Sequence, residues 1–202
     1  MDGTEIRLAE APVINHEMYF SRKKQYSIKM QVVCDHRLKI RHAIIGHHGS
    51  VHDAKMFAES SIGQHPEQFF SDKQFMAGDS AYPLSRFVIT PIRQNNTEFS
   101  EHQKAKFNEH FSKARVRVEN CFGKLKEIFC SLKELRFRLT NEQNHTDCCN
   151  WILACCILHN ILIEFNNPQN DDDSRNEVDY PQEMSSSRDV RTALVNYVLN
   201  NL

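Results

Sequence analysis

A mixed α/β fold, with a β-sheet flanked by helices, is what this sequence predicts, and three stretches carry the prediction. Residues 26–34, YSIKMQVVC, alternate between Tyr26, Ile28, Met30 and Val32 on one face and Ser27, Lys29 and Gln31 on the other, the period-two signature of a strand. Phe107, Phe111, Ala114, Val118, Phe122, Leu125 and Phe129 recur at spacings of 4, 3, 4, 4, 3 and 4, which is one face of a long helix. NWILACCILHNILIEF, residues 150–165, is apolar nearly all round and reads as a buried helix.

The elements follow in order. The segment around Asp2-Gly3-Thr4 is taken as the first strand, and residues 26–34 form the second. Asp35-His36-Arg37 is a turn, and Leu38 to Ile45 completes a β-hairpin. The chain then leaves the sheet through Gly46-His47-His48-Gly49, and a short helix is expected from Val51 to Ala58. Residues 61–70 are loop or a short helix. Gln74 to Ala77 is a short apolar strand ending in Gly78-Asp79-Ser80, and Phe87 to Ile92 is a last strand limited by Pro91. The long helix and the buried helix close a domain of residues 1–166. Residues 167–187, rich in Asn, Asp, Ser, Gln and Pro, read as an acidic, polar linker, and 188–202 as a terminal helix.

A chain of 202 residues, 40% hydrophobic and 25% charged, can bury a sizeable core. No apolar run reaches the ~18 residues of a membrane span, so no membrane partner is expected. MDGTEIRLAE lacks the basic start and apolar stretch of a signal peptide. Of seven cysteines, four sit as Cys148-Cys149 and Cys155-Cys156 in one apolar segment; they read as reduced thiols of an intracellular protein. The net charge of −1 hides segregation. Residues 104–138 carry ten Lys/Arg and four Glu, residues 22–41 seven Lys/Arg and one Asp, and residues 164–189 eight acids and two Arg. Two basic segments of +6 and an acidic one of −6 result. Solvated helix and strand faces are the plain account of such runs.

Three acids stand at informative places: Asp2 in MDGTEI, Asp79 in MAGDSAYP just past a short strand, and Glu119 in ARVRVENCFGKLK within the long helix. Hard cations such as Mg²⁺ take oxygen ligands and bind through a few carboxylates plus substrate phosphate. Two of them ~4 Å apart can clamp the attacking and leaving oxygens of an in-line displacement. Arg115, four residues before Glu119, and Lys126, seven after it, fall on the same helical face. Gly123, one turn on, leaves room for a nucleic acid to approach. An ordinary i,i+4 ion pair is the alternative account of Arg115 and Glu119.

MDGTEI, YFSRKKQYSIKMQVVCD, GHHGSVHDAKMF, MAGDSAYP, ARVRVENCFGKLK and ACCILHNIL occur in this order from Asp2 to about Phe165. In that order and spacing they resemble PIF/Harbinger-type transposases, and the R-x3-E-x6-K pattern at Arg115, Glu119 and Lys126 resembles the wider DDE group. The resemblance implies an RNase H-like DDE nuclease domain with Asp2, Asp79 and Glu119 as the catalytic, metal-binding triad. It implies two Mg²⁺ or Mn²⁺ ions activating a water to cut a DNA phosphodiester. Arg115 and Lys126 would hold phosphate or orient Glu119, and the basic segments, Arg117 and Lys124 among them, would track the DNA backbone without reading sequence. A Myb-like partner protein is implied in the same way; nuclear localisation is expected from the DNA substrate, and the sequence leaves the oligomeric state open. Relatives carry apolar residues before the first carboxylate and an N-terminal helical region, whereas this chain starts one residue before Asp2; the resemblance therefore implies a truncated first strand. Two functions follow as expectations: a metal-dependent DNA endonuclease, or a catalytically silent transposase remnant that binds DNA or protein in the nucleus.

GHHGSVHD, residues 46–53, admits three readings. Ser50-Val51-His52-Asp53 fits a capping-box-like start, with Ser50 accepting a helical N–H and Asp53 in the positive first turn. The resembled family has GSxHD here, which implies a strand-to-helix junction with Ser50, His52 and Asp53 supporting the active site. A direct metal or DNA role for His52 or Asp53 is the second reading, with Asp53 the main rival to Asp79 as second carboxylate and Asp35 behind it. A zinc site is the third, disfavoured because adjacent His47 and His48 point apart in an extended chain. Cys155 and His159 are one turn apart, yet their segment is so apolar that the cysteines are expected to act as small buried hydrophobes, with Trp151 also in the core.

Overall fold

The computed structural model describes residues 1–71, 74–166 and 186–200. In chain order its elements are β1 (Asp2–Leu8), α1 (His16–Tyr19), β2 (Ser27–Cys34), β3 (Ile40–His48), α2 (Asp53–Glu59), α3 (Ser61–Gln64), β4 (Met76–Ala77), β5 (Val88–Ile89), α4 (Glu101–Ile128), β6 (Glu134–Leu135), α5 (Glu142–Asn166) and α6 (Ser187–Asn200). They form two compact units, Met1–Ser60 with Arg117–Asn167, and Ser61–Val116 with Pro168–Leu202.

The first unit holds the mixed sheet, in the order β3-β2-β1-β6. β1 is antiparallel to β2, with Asp2 opposite Val32 and Glu5 opposite Lys29, and parallel to β6, with Leu8 beside Leu135. Residues directly opposite share a face. Ile6, Leu8, Ile28, Met30 and Val32 therefore line one side, where they pack with Phe122 and Leu125 of α4 and with Ile152 and Cys156 of α5. α2 covers the other side: Gln31 Nε2 donates to the Asp53 carbonyl, 3.2 Å. The sheet is thus flanked by helices on both faces, as the order of strands and helices along the chain suggests.

Three expectations are corrected here. β3 runs on to His48, so Gly46-His47-His48 is strand and not exit: His48 pairs with Ile28 and His47 with Lys29. Gly46, at φ 106°, sits at the register shift between these pairs and Met30–Ile45. Only glycine adopts that bulge conformation at no cost. α2 starts at Asp53, not Val51, and its N-cap is His52, which makes no side-chain cap bond. Ser50 is therefore not the cap; its N–H donates to the Met18 carbonyl at 3.1 Å, tying the turn to α1.

α5 is only half buried. Cys148, Ile152, Cys155, Cys156, His159 and Ile163 face the core, while Ile157, Leu158, Ile161, Leu162 and Phe165 are exposed. Trp151, expected in the core, is 46% exposed, and its Nε1 donates to Ser131 Oγ at 3.1 Å. All-round apolarity indicates burial only when both sides of a helix have something to pack on, and the sheet covers one. By length and composition alone α5 would also pass for a membrane-crossing helix, although no ~18-residue uninterrupted apolar run announces it.

His159 is fully buried. Its Nε2 donates to the Leu38 carbonyl at 2.9 Å. Asn160 accepts from the Ile40 N–H and donates to the Ile40 carbonyl, both at 2.8 Å, satisfying backbone on the edge strand β3 as a neighbouring strand would. All seven cysteines are free.

The second unit has its own core. β4 and β5 form a parallel two-stranded sheet, and Ile89, Ile92, Phe99, Phe107 and Phe111 pack with Val190 and Val195 of α6. Asn108 brackets Ile92, accepting from its N–H at 2.8 Å and donating to its carbonyl at 2.9 Å. α6 begins with a reciprocal cap: Ser186 N donates to Asp189 Oδ2 at 3.1 Å, and Asp189 N to Ser186 Oγ at 3.2 Å. Of the expected linker 167–187, residues 167–185 lie outside the described residues.

Candidate active site

Asp2 is the first residue of β1, and its Oδ1 accepts the N–H of Gly3 at 2.8 Å. Side chains alternate along a strand, so Asp2, Thr4 and Ile6 share the face that α4 and α5 cover. Lys126 fixes α4 to that strand: its Nζ donates to Thr4 Oγ1 and to the Glu5 carbonyl, both at 2.9 Å. Burial, with Lys23 nearby, lowers the Lys126 pKa against the opposing pull of Glu5. Glu119, two turns earlier on the same helical face, is exposed. The first unit thus carries two of the three predicted carboxylates, one opening a strand and one on the helix latched to it.

Asp79 belongs to the second unit. It follows β4, and its Oδ1 accepts the Ala81 N–H at 2.8 Å, an Asx-type turn that holds the carboxylate at the strand exit. The cations divide on α4. At ~100° per residue, Arg115, Glu119 and Lys126 point one way while Arg117 and Lys124 point the other. Lys124 lies close enough to His159 to help hold that imidazole neutral, after burial. A side chain at Gly123 would meet nothing within 4 Å, as expected for an open approach.

The structure separates the supporting residues by role. Asp53 Oδ1 accepts from Lys29 Nζ at 2.7 Å, and the Asp53 carboxylate lies where a Cβ on Gly3 would come within 2.9 Å of it. Asp53 is therefore on the sheet face opposite the Asp2 side chain, already charge-paired. The Asp53 carboxylate thus sits against Gly3, beneath the first residues of β1. Asp35 is committed to its hairpin turn, accepting from Arg37 N, Lys39 N and Arg41 Nε. His52 Nε2 lies 2.8 Å from Arg22 Nη2.

His48 joins an aromatic cluster. Tyr19 meets it edge-on at 4.5 Å, His145 stacks on it at 5.5 Å, and the Tyr19 hydroxyl lies 2.9 Å from His145 Nδ1. Burial and then the Glu142 charge push the Tyr19 phenol up to about 12. Burial, then His145, lowers the His48 pKa. Among the described residues no three His, Cys, Asp or Glu side chains stand together as a metal cage, whether for the zinc reading or for the carboxylates Asp2, Asp79 and Glu119. The predicted triad is all carboxylate. That oxygen donor set suits hard cations, which complete their shells with water and substrate phosphate.

Sequence reading missed Lys29 and Glu5. Glu5 Oε2 gathers Ser21 Oγ at 2.8 Å, Gln25 Nε2 at 2.9 Å and Ser27 Oγ at 3.3 Å, tying the loop before β2 to β1. The signal was the cross-strand pair Glu5–Lys29, visible only once the register is known.

A family model described as DDE superfamily endonuclease matches residues 1–160. The chain belongs to that family. It is similar to HARBI1 of Bos taurus and of Homo sapiens, proteins named as nucleases, at 27% identity over 155 residues each, covering 77% of this chain and 43% of theirs. It is also similar to the Arabidopsis thaliana protein Antagonist of Like Heterochromatin Protein 1, at 24% identity over 177 residues, covering 81% of this chain and 43% of the relative. The chain therefore spans less than half the length of these relatives. No solved structure matches it. The mixed sheet with flanking helices is consistent with the RNase H-like architecture of DDE enzymes.

Proposed function

We propose that this chain is the nuclease domain of a transposase-derived protein and hydrolyses DNA phosphodiesters with two divalent cations, Mg²⁺ or Mn²⁺, held by Asp2, Asp79 and Glu119. The observation that carries the reading is the match to the endonuclease family over residues 1–160, with Asp2 opening β1 and α4 latched to that strand through Lys126. When bound, such ions supply a nucleophilic water at neutral pH and neutralise charge on the phosphate. The residues of the chain do the positioning. Asp2 is aimed by its own strand and by the bond from Gly3 N. Glu119 projects from a rigid helix into solvent, where a substrate can reach it. Asp79 is fixed at its strand exit by the Asx turn.

Arg115 lies on the Glu119 face and serves to hold phosphate or steer the carboxylate. Lys126 spends two donors on β1 and so acts through the position of α4. Arg117 and Lys124, on the opposite face, serve backbone contacts only. A DNA substrate places the protein in the nucleus, and a Myb-like partner protein would supply the sequence recognition that phosphate contacts lack.

The test is nicking of supercoiled plasmid with Mn²⁺. Wild type should cut, while Asp2→Asn, Asp79→Asn, Glu119→Gln and EDTA should each abolish cutting. Cleavage that survives Glu119→Gln would remove Glu119 from the site. A second reading, a silent DNA- or protein-binding module, is favoured by the Arabidopsis relative, whose name describes antagonism and not cleavage. DNA binding by a folded protein that never cuts would select it.

A further inference from the structure

The exposed half of α5 is the largest feature that the nuclease reading leaves unused. Trp151, Leu158 and Phe165 are 46%, 49% and 80% exposed. With Ile157, Ile161 and Leu162 they offer on the order of 700 Å² of apolar surface, close to the ~800 Å² that each partner gives to a standard interface and above the ~300–600 Å² of the largest patch on a typical monomer. α5 contains no Lys or Arg, the residues that seat an amphipathic helix on lipid. Residues 167–185, next in the chain, contain only Val178, Tyr180, Met184 and two prolines as apolar side chains, against six acids. They are poor material to cover such a face.

The face is complementary to itself. Trp151, Ala154, Leu158, Leu162 and Phe165 lie at −7, −4, 0, +4 and +7 from Leu158, a spacing that reads the same in both directions. A two-fold axis at Leu158 sets that residue against its own copy, small Ala154 against Leu162, and Trp151 against Phe165. Beside Trp151 is a cavity of about 390 Å³, lined also by Cys130, Leu135 and Phe137. Phe165, the most exposed large apolar side chain among the described residues, is a knob of suitable size, and an aromatic anchor in a pocket is the usual energetic centre of an interface.

We propose that this chain forms a two-fold homodimer through α5, its helices antiparallel, with the second copy's Phe165 seated beside Trp151. Sedimentation velocity and light scattering of the full chain across the micromolar range test this. Wild type should dimerise. Leu158→Glu should weaken the dimer by roughly a hundredfold or more and leave the circular dichroism unchanged, because the side chain is already half exposed. Ala154→Glu alone should also dissociate it. The double variant Ala154→Glu/Leu162→Lys should restore it, since the axis sets each Glu against a Lys, whereas parallel helices would set like charges together. If Leu158→Glu fails to fold, Phe165→Ser is read in its place, with the same loss expected. A wild type that stays monomeric, a dimer indifferent to these substitutions, a double variant that stays dissociated, or a monomer that instead sediments with phosphatidylcholine vesicles would each overturn the proposal.

Discussion

Gly3→Ala tests the packing beneath Asp2. A Cβ at Gly3 would fall 2.9 Å from Cγ and Oδ2 of Asp53 and 3.0 Å from Oδ1, roughly 0.5 Å or more inside ordinary contact. The carboxylate is the end of a side chain and could move, but Oδ1 is held by Lys29 Nζ at 2.7 Å and the residue begins α2. Both members of that pair are mostly shielded, with side-chain exposures of 15% and 28%. Relief therefore comes at the expense of a charge-assisted hydrogen bond or a shift of β1. Overpacking of this kind costs about 1–3 kcal/mol. For a chain of this size ~2 kcal/mol lowers the melting midpoint by about 4–8 °C.

The assay is urea and thermal unfolding of four proteins: wild type, Gly3→Ala, Asp53→Ala and the double variant. Asp53→Ala is itself destabilising, because it strands the Lys29 ammonium. It also removes the clash, so Gly3→Ala should cost much less in that background, giving a coupling of about 1 kcal/mol or more. A Gly3→Ala protein within ~0.5 kcal/mol of wild type, or strictly additive losses, would refute the argument.

Three further outcomes are expected. Lys126→Met should lower stability by about 1–2 kcal/mol, since two bonds from α4 to β1 vanish; it should also slow any nicking, and unchanged denaturation would show that α4 is held otherwise. Lys24→Gly should raise stability by about 0.5–1 kcal/mol, because exposed Lys24 sits at φ 57°, where an L side chain is strained; a loss in urea midpoint would contradict this. Burial lowers the pKa of His42, His47, His48 and His159. The unfolded chain then takes up protons near pH 6.5 before the folded one does, so stability is complete above that pH and falls below it. Each histidine contributes at most ~1.4 kcal/mol per pH unit. Equal urea midpoints at about pH 7.5 and 5.5 would count against it.

The strands with clean alternation and the long helix were legible, because a period of two or 3.6 residues is written locally. YSIKMQVVC gave β2 to within one residue. The end of β3 was not legible: His47 and His48 look polar and loop-like, and only pairing with Lys29 and Ile28 makes them strand. Ser50 carried a sound local capping signal, but the turn used its N–H on Met18 and delayed the helix to Asp53. α5 was misread because composition reports how apolar a helix is and not how many sides have a neighbour. For the candidate site, residue type and position single out Asp2, Asp79 and Glu119 as the carboxylates to test. The bracing by Lys29, Asp53 and Glu5 was not legible, since it depends on the register between segments far apart in sequence.

The pairing of β1 with β6 joins Leu8 to Leu135, and the whole of Ser61–Val116 lies between the two segments of the first unit. The order of synthesis follows. While the ribosome is making α3, β4 and β5, β1 is already outside with one edge unpaired and its apolar face lacking α4 and α5. The intervening unit has most of its residues before that edge can close. High contact order of this kind slows folding and prolongs exposure of aggregation-prone strand. Nascent chains released after residue 116 should therefore need chaperone protection that chains released after α5 do not.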